Sequence, residues 1–344
     1  MTALPAPAPR ALLSIRRLRV PGRVLHHKAQ PCVPIAFFDL DLQRGESLVI
    51  AGESGSGKSA LARAIAGLEP AATGSIRLEN VEMLDGAPAS TRETWPSRAQ
   101  LVARQPLVNE SPRVRVATAI ERRIKSALPK LSRSARQERI ATACHKLGLT
   151  PDMTQQRLRE LDAVGRYRVT LAAALGCAPK ILICDEPLAD HEEAERDAIR
   201  TLIIHTCAEQ HLTLIVTALT AAAWRPFIRR INILCSGRVM EQGSTVDVLD
   251  HPVHPYTRAL FSTPVQTVTP RRGPAHAELR ITGPTPDPDH PPIGCVFHPR
   301  CPIADLACVR EVPPLRRTGQ SPLHYAACLF LEPVADTHDP PPEV

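Results

Sequence analysis

At 344 residues and 43% hydrophobic, the chain is long enough for a full core and, by length, for two units. The net charge of +7 suits anionic partners such as nucleotide phosphates. It includes no dense basic block and no basic run interleaved with aromatics, so nucleic-acid binding is not expected. No apolar stretch reaches the length of a membrane span, and residues 1–10 lack the apolar core of a signal peptide. The expectation is a cytoplasmic protein that leaves any membrane crossing to other chains.

In chain order, residues 1–10 form a Pro/Ala arm expected to be disordered. Short apolar segments from Leu13 to about Leu42 predict a β-rich start. Ser47–Ala51 reads as a buried strand, followed by a Gly-rich loop and an amphipathic helix over Ser59–Ala66. Leu101–Ala103 reads as a short strand, and the stretch from about Ala117 to Leu175 is mostly helical in pattern. Ile181–Cys184 and Leu212–Val216 are two further buried strands. Helices between strands predict a parallel α/β sheet. Residues 263–292 are a proline-rich linker, 293–330 a small Cys-bearing module, and 331–344 a disordered tail.

The loop Gly52-Glu53-Ser54-Gly55-Ser56-Gly57-Lys58-Ser59, followed by Ala60, fits G-x-x-x-x-G-K-S at every fixed position. It also has the strand before it and the helix after it that the motif needs. Backbone N–H groups and the helix N-terminus form a cradle for phosphate. Lys58 supplies a point charge for the terminal phosphates of ATP, and the Ser59 hydroxyl is a Mg²⁺ ligand. At the end of the second buried strand, Asp185 is placed to hold Mg²⁺ and Glu186 to act as general base. Isolated, an Asp-Glu pair is an ordinary solvated turn. Paired with the P-loop, the functional reading prevails.

Four elements recur in order: the P-loop, Asp185-Glu186-Pro187, Gly237-Arg238-Val239-Met240-Glu241-Gln242-Gly243 and His254-Pro255-Tyr256-Thr257 followed by Arg258-Ala259-Leu260. Over residues 11 to about 330 the chain resembles the ATPase subunits of dipeptide and oligopeptide ABC transporters. The irregular signature and D-loop resemble in particular those of the Sap-type D subunit. The resemblance implies a P-loop ATPase of α/β class with a β-rich N-terminal part, a helical subdomain at about 88–170 and a Cys-rich C-terminal module. The ATP-binding domain then spans 11–262. Its implied partners are a second ATPase subunit, two transmembrane permeases and, indirectly, a solute-binding protein. The implied place is the cytoplasmic face of the inner membrane.

Several family motifs are altered. The signature Leu-Ser-Gly-Gly-Gln is here Leu161-Asp162-Ala163-Val164-Gly165. A carboxylate about 4 Å from a phosphate oxygen is repelled by a few kcal/mol at an effective dielectric near 20. Asp162 therefore reads as a helix N-cap. The switch histidine is replaced by Ala218, and His211 lies at the other end of its strand, roughly 20 Å away at about 3.3 Å per residue. The D-loop is Leu188-Ala189-Asp190-His191-Glu192, and Arg104 stands at the glutamine of the Q-loop with Gln105 one residue late. No aromatic lies between Val20 and Ile35 to stack on adenine, which leaves His26 or His27. ATP binding is therefore expected with weak turnover. The alternative is a non-hydrolysing structural or regulatory subunit beside a competent ATPase.

Cys295, Cys301, Cys308 and Cys328 resemble the cysteine module of the peptide-transporter ATPases, where four thiolates hold a [4Fe–4S] cluster. Four thiolates suit iron–sulfur or zinc, and free thiols remain an alternative. A module of about 40 residues is too small to fold on its own core, which favours a metal staple. His298 reads as a structural loop residue. The remaining cysteines read as small buried apolar groups.

Overall fold

A computed structural model describes residues 11–22, 35–262, 281, 283–284, 286–287, 291–319 and 321–331. The N-terminal arm, most of the 263–292 linker, the tail beyond 331, and His26 and His27 lie outside the described residues.

The strands are β1 (Ala11–Val20), β2 (Ile35–Gln43), β3 (Ser47–Ala51), β4 (Thr73–Leu78), β5 (Val81–Glu82), β6 (Ala99–Val102), β7 (Ile181–Asp185), β8 (Thr213–Ala218), β9 (Arg230–Cys235), β10 (Arg238–Ser244), β11 (Arg316–Arg317) and β12 (Tyr325–Ala326). The helices are α1 (Lys58–Ile65), α2 (Ala89–Arg98), α3 (Val116–Ala127), α4 (Arg133–Lys146), α5 (Pro151–Gln155), α6 (Ala163–Gly176), α7 (Glu193–Glu209), α8 (Thr245–Asp250), α9 (Pro255–Phe261) and α10 (Leu306–Arg310). Among the described residues no helix is long and apolar enough to cross a membrane.

The chain divides into two compact units. One holds Met1–Leu18, Asp39–Ser47 and Leu61–Ala218; the other holds Arg19–Phe38, Leu48–Ala60 and Leu219–Val344.

In the first unit, β6, β7 and β8 run parallel, with Ile181 beside both Ala99 and Thr213. Ile181-Leu182-Ile183-Cys184 is wholly buried, the continuous apolar run that a central parallel strand requires. The helical stretch expected from about Ala117 resolves into α3 to α6. Ser132 caps α4 by accepting from the Ala135 N–H at 3.2 Å. Thr150 caps α5, whose Pro151 occupies the first turn where no N–H is needed.

In the second unit, β3 is parallel to β9, with Val49 opposite Ile231, and β9 turns back antiparallel into β10. Ser236 (φ 42°) and Gly237 (φ 77°) make that tight turn, the two positive φ values that a type I′ hairpin demands. β12 then pairs with β10, Ala326 opposite Glu241, and β11 pairs with β12. The cysteine-bearing segment is thus stitched onto the edge of the strands that follow the phosphate loop.

Candidate functional site

The predicted site residues fall into two groups, one in each unit. The first is the phosphate loop of the second unit. It joins β3 to α1, which begins at Lys58, one residue before the expected start. Two of its glycines are fixed by space. A Cβ on Gly52 would meet the Leu234 carbonyl oxygen at 2.2 Å. Gly57 has φ +102°, and its Cβ would meet Ile35 Cδ1 at 2.8 Å. The Gly237 N–H donates to the Ser56 carbonyl at 2.8 Å, so the β9–β10 turn braces the loop.

Lys58 is 3% exposed, and its ammonium donates to the carbonyls of Gly52 and Glu53, each at 2.8 Å. Ser54, Gly55 and Ser59 are exposed. The Ser56 hydroxyl is fully buried with no partner among the described residues. A cradle that a Cβ would fill, a buried lysine and an orphaned hydroxyl together fit a bound polyphosphate.

Glu53 is held at every polar group it has. Its N–H donates to Tyr256 Oη at 3.0 Å, and its carbonyl accepts from Lys58. Its carboxylate takes both arms of Arg300, at 2.5 and 2.9 Å. Tyr256 belongs to the His254-Pro255-Tyr256-Thr257 segment, which forms the first turn of α9. There the neutral His254 ring accepts from the Tyr256 N–H through Nδ1 at 3.0 Å. Burial pushes the His254 pKa down to about 4, against the raising effect of Glu241.

The second group lies in the first unit. Asp185 ends β7, and Glu186 follows it with φ 45°, a left-handed conformation that costs a non-glycine residue about 1–3 kcal/mol. Thr217 of β8 holds both. Its hydroxyl donates to Asp185 Oδ1 at 2.5 Å and accepts from the Glu186 N–H at 2.9 Å. The next residue, Ala218, is buried.

Arg104, at the Q-loop position, reaches across to these acids. Its Nη1 lies 3.2 Å from Glu186 Oε2, and its Nε and Nη2 donate to Asp190 at 2.7 and 2.5 Å. Tyr167 of α6 donates to the Arg104 carbonyl at 3.1 Å. Arg104 holds the Asp190 carboxyl below its usual range through these hydrogen bonds. Sequence reading placed Arg104 at the glutamine position without finding its partners.

The altered signature is the N-terminus of α6. Asp162 is its N-cap and accepts from the Gly165 N–H at 2.6 Å, as expected from its position before the helix. Gly165 fits under that cap, since its Cβ would meet Asp162 Oδ1 at 2.8 Å.

The four C-terminal cysteines are all in the second unit and are free thiols. Burial raises Cys295 to about 11, and Cys308, Cys301 and Cys328 each add to the rise. Yet among the described residues no group of three or more His, Cys, Asp or Glu is arranged to hold a metal ion. The [4Fe–4S] expectation is therefore not supported by this geometry, and neither is a zinc site. The size argument behind it also lapses. The segment borrows its core: Phe297 packs edge-on to Tyr256 at 5.2 Å, Ala327 N–H donates to the Met240 carbonyl, and His324 pairs with Glu241 at 2.6 Å, both fully buried. The other described cysteines, Cys144, Cys177, Cys184, Cys207 and Cys235, are buried core residues with raised pKa values.

Known proteins resemble this chain over most of its length. The ABC transporter family model matches residues 36–189, and the model for the oligopeptide/dipeptide transporter C-terminal region matches residues 240–308. The oligopeptide transport ATP-binding protein OppF of Escherichia coli K12 is 33% identical over 86% of this chain and 87% of its own length. The di/tripeptide transport ATP-binding protein DppF of Pseudomonas aeruginosa is 32% identical over 81% of this chain and 85% of its own. Among solved structures, cbiO1 of Clostridium perfringens superposes with a TM-score of 0.58 at 20% identity, covering 70% of this chain and 92% of that one. The cassette MJ0796 bound to ADP and Pi does so at 0.55 and 21%, covering 67% and 98%. These place the fold among the ATP-binding cassettes. The chain belongs to the family of ATP-binding proteins of oligopeptide and dipeptide ABC transporters.

Proposed function

We propose that this chain is an ATP-binding, energy-coupling subunit of an ABC transporter that takes up peptides or related small solutes. It works beside a second ATP-binding subunit on two permeases, with a solute-binding protein delivering the cargo. Its place is the cytoplasmic face of the membrane that holds the permeases. We assign nucleotide binding to residues 11–262 and read 293–330 as the C-terminal cysteine-bearing module of this transporter type. The supporting observation is the phosphate loop with its buried Lys58, locked onto the tyrosine of His254-Pro255-Tyr256-Thr257.

In this reading Gly52, Ser54, Gly55, Ser56, Gly57 and Ala60 frame the backbone cradle for ATP, and Lys58 leaves its carbonyl partners to meet the terminal phosphates. Ser59 and Asp185 are the residues that would hold Mg²⁺, as the family resemblance implies. Bound Mg²⁺ supplies charge neutralisation at the phosphates. Glu186 polarises water as the general base, its backbone pinned by Thr217. No iron–sulfur chemistry enters this account.

A second reading has two specific observations in its favour. Arg104 bonds the proposed base, and Ala218 offers no imidazole beyond Thr217. On that reading the chain binds ATP, and its partner carries most of the turnover.

The test is Mg-ATP stabilisation of the full-length protein. At 100-fold over Kd, linkage predicts about 2.7 kcal/mol. Lys58→Ala should remove that stabilisation. An equal shift in the variant would place the nucleotide elsewhere.

A further inference from the structure

The C-terminal segment reaches the phosphate loop through an ion pair whose arginine is buried and whose glutamate is half-buried. Arg300 is 7% exposed, and it grips both oxygens of Glu53, the first variable residue of the G-x-x-x-x-G-K-S loop. A bidentate guanidinium–carboxylate pair fixes direction as well as distance. The pair closes a circuit. Tyr256 holds the Glu53 N–H, Phe297 packs edge-on to Tyr256, and the Arg300 guanidinium lies 5.4 Å from the Phe297 ring centroid. Arg300 is itself aimed by the turn it ends: Arg300 N–H donates to the Phe297 carbonyl at 3.0 Å and Cys301 N–H to that of His298 at 3.2 Å.

Glu53 is an awkward residue for its place. It puts a negative charge in a loop whose task is to receive negative phosphates. Its carbonyl is also one of the two oxygens on which Lys58 rests. Any shift of Glu53 therefore moves the lysine's support and exposes the phosphates to a carboxylate. Removing one partner of a buried pair leaves the other charge uncompensated.

We propose that Arg300 is a positioning residue for the phosphate cradle: through Glu53 the C-terminal segment sets the shape of the loop and cancels a carboxylate that would oppose the nucleotide. This rests on the reading of residues 52–59 as the site of the phosphates. On this account the C-terminal extension is part of the nucleotide-binding apparatus, in addition to any role toward the permeases.

The experiment measures the Kd for Mg-ATP of the full-length chain, below the melting temperature of every variant, together with the melting temperature without nucleotide. Arg300→Met should weaken Mg-ATP by more than about threefold, and Arg300→Lys, which keeps charge but loses the fork, should weaken it less. Glu53→Gln combined with Arg300→Met should bind more tightly than Arg300→Met alone, since the uncompensated carboxylate is gone. Arg310→Met, an exposed change in the same segment, should bind as the wild type does. A purely structural role would lower the melting temperature and leave the Kd within about threefold, and that result overturns the proposal. So does a double variant that binds no better than Arg300→Met. If Arg300→Met does not fold, Arg300→Lys decides: a Kd equal to wild type, whatever its melting temperature, overturns the proposal. Lys58→Ala is run alongside. Should it retain Mg-ATP binding, the cradle reading itself fails, whatever Arg300 does.

Discussion

Arg104→Gln should speed ATP turnover by this chain. The structure gives the size of the effect. Arg104 Nη1 is 3.2 Å from Glu186 Oε2, which at an effective dielectric near 20 is a gross attraction of about 5 kcal/mol. Arg104 is 45% exposed, however, and pairs in that setting are worth a net 1 kcal/mol or so. A base released from a hold of about 1 kcal/mol gains about fivefold in rate. Glutamine also keeps the Arg104 backbone carbonyl that Tyr167 uses, so the α6 contact survives. Asp190→Asn supplies the opposite perturbation. It removes the acid that takes two of the three Arg104 contacts, leaving the guanidinium to bear on Glu186 alone. Turnover should then fall. The assay is phosphate release at saturating Mg-ATP, so that kcat is read, with Lys58→Ala as background. If Arg104→Gln slows turnover or leaves it unchanged, or if the two variants move it the same way, Arg104 is not restraining the base.

The phosphate loop offers a graded comparison. Gly57→Ala places a Cβ 2.8 Å from Ile35 Cδ1 at φ +102° and should weaken Mg-ATP binding more than Gly55→Ala, which has φ +79° and open space around it; the two Kd values, measured together, check the order, and equal losses would refute the steric argument. Stability should depend on pH through His254. Its folded pKa of about 4 lies below the 6.5 of the free side chain, so the unfolded chain binds the proton first. Stability is therefore full above pH 6.5 and declines as pH falls toward 4, by on the order of 3 kcal/mol. His254→Asn, which can still cap α9, should flatten that slope in urea unfolding at pH 7 and pH 5; parallel slopes would count against burial of the neutral ring. Restoring the switch histidine by Ala218→His should raise ATPase activity of the assembled complex if its partner's signature is intact, and an unchanged rate would mean that another group already performs that task.

What the sequence revealed about the site is what the chain encodes locally. The strand–loop–helix around residues 47–65, the buried run at 181–184 and the cap at Asp162 each depend on neighbours within a few positions, and periodicity and residue chemistry expose them. The two arginines were illegible for the opposite reason. Arg104 meets Glu186 across 82 residues and Arg300 meets Glu53 across 247, and an ion pair at such separation leaves no periodic trace. The cysteines misled because their segment was weighed as a separate body, too small to fold. Pairing of β12 with β10 gives it a share of a larger core instead. A signal for Arg300 did exist, though not as a motif. A glutamate inside an anion cradle creates a charge imbalance that the fold must correct from somewhere, and a positive group brought in from a distant segment is the correction that burial permits. The same reasoning applies to Glu186, which is ringed by acids at 185 and 190 and reached by Arg104. In each unit a carboxylate of the predicted site is matched by an arginine from far along the chain. The Arg300 side chain is 3% exposed where that of Arg104 is 45% exposed, and that difference separates the pairs by role. With its guanidinium in solvent, the pair at Glu186 opens at little cost, whereas opening the pair at Glu53 would leave the buried Arg300 guanidinium without its carboxylate, so that pair stays closed and holds the loop in shape.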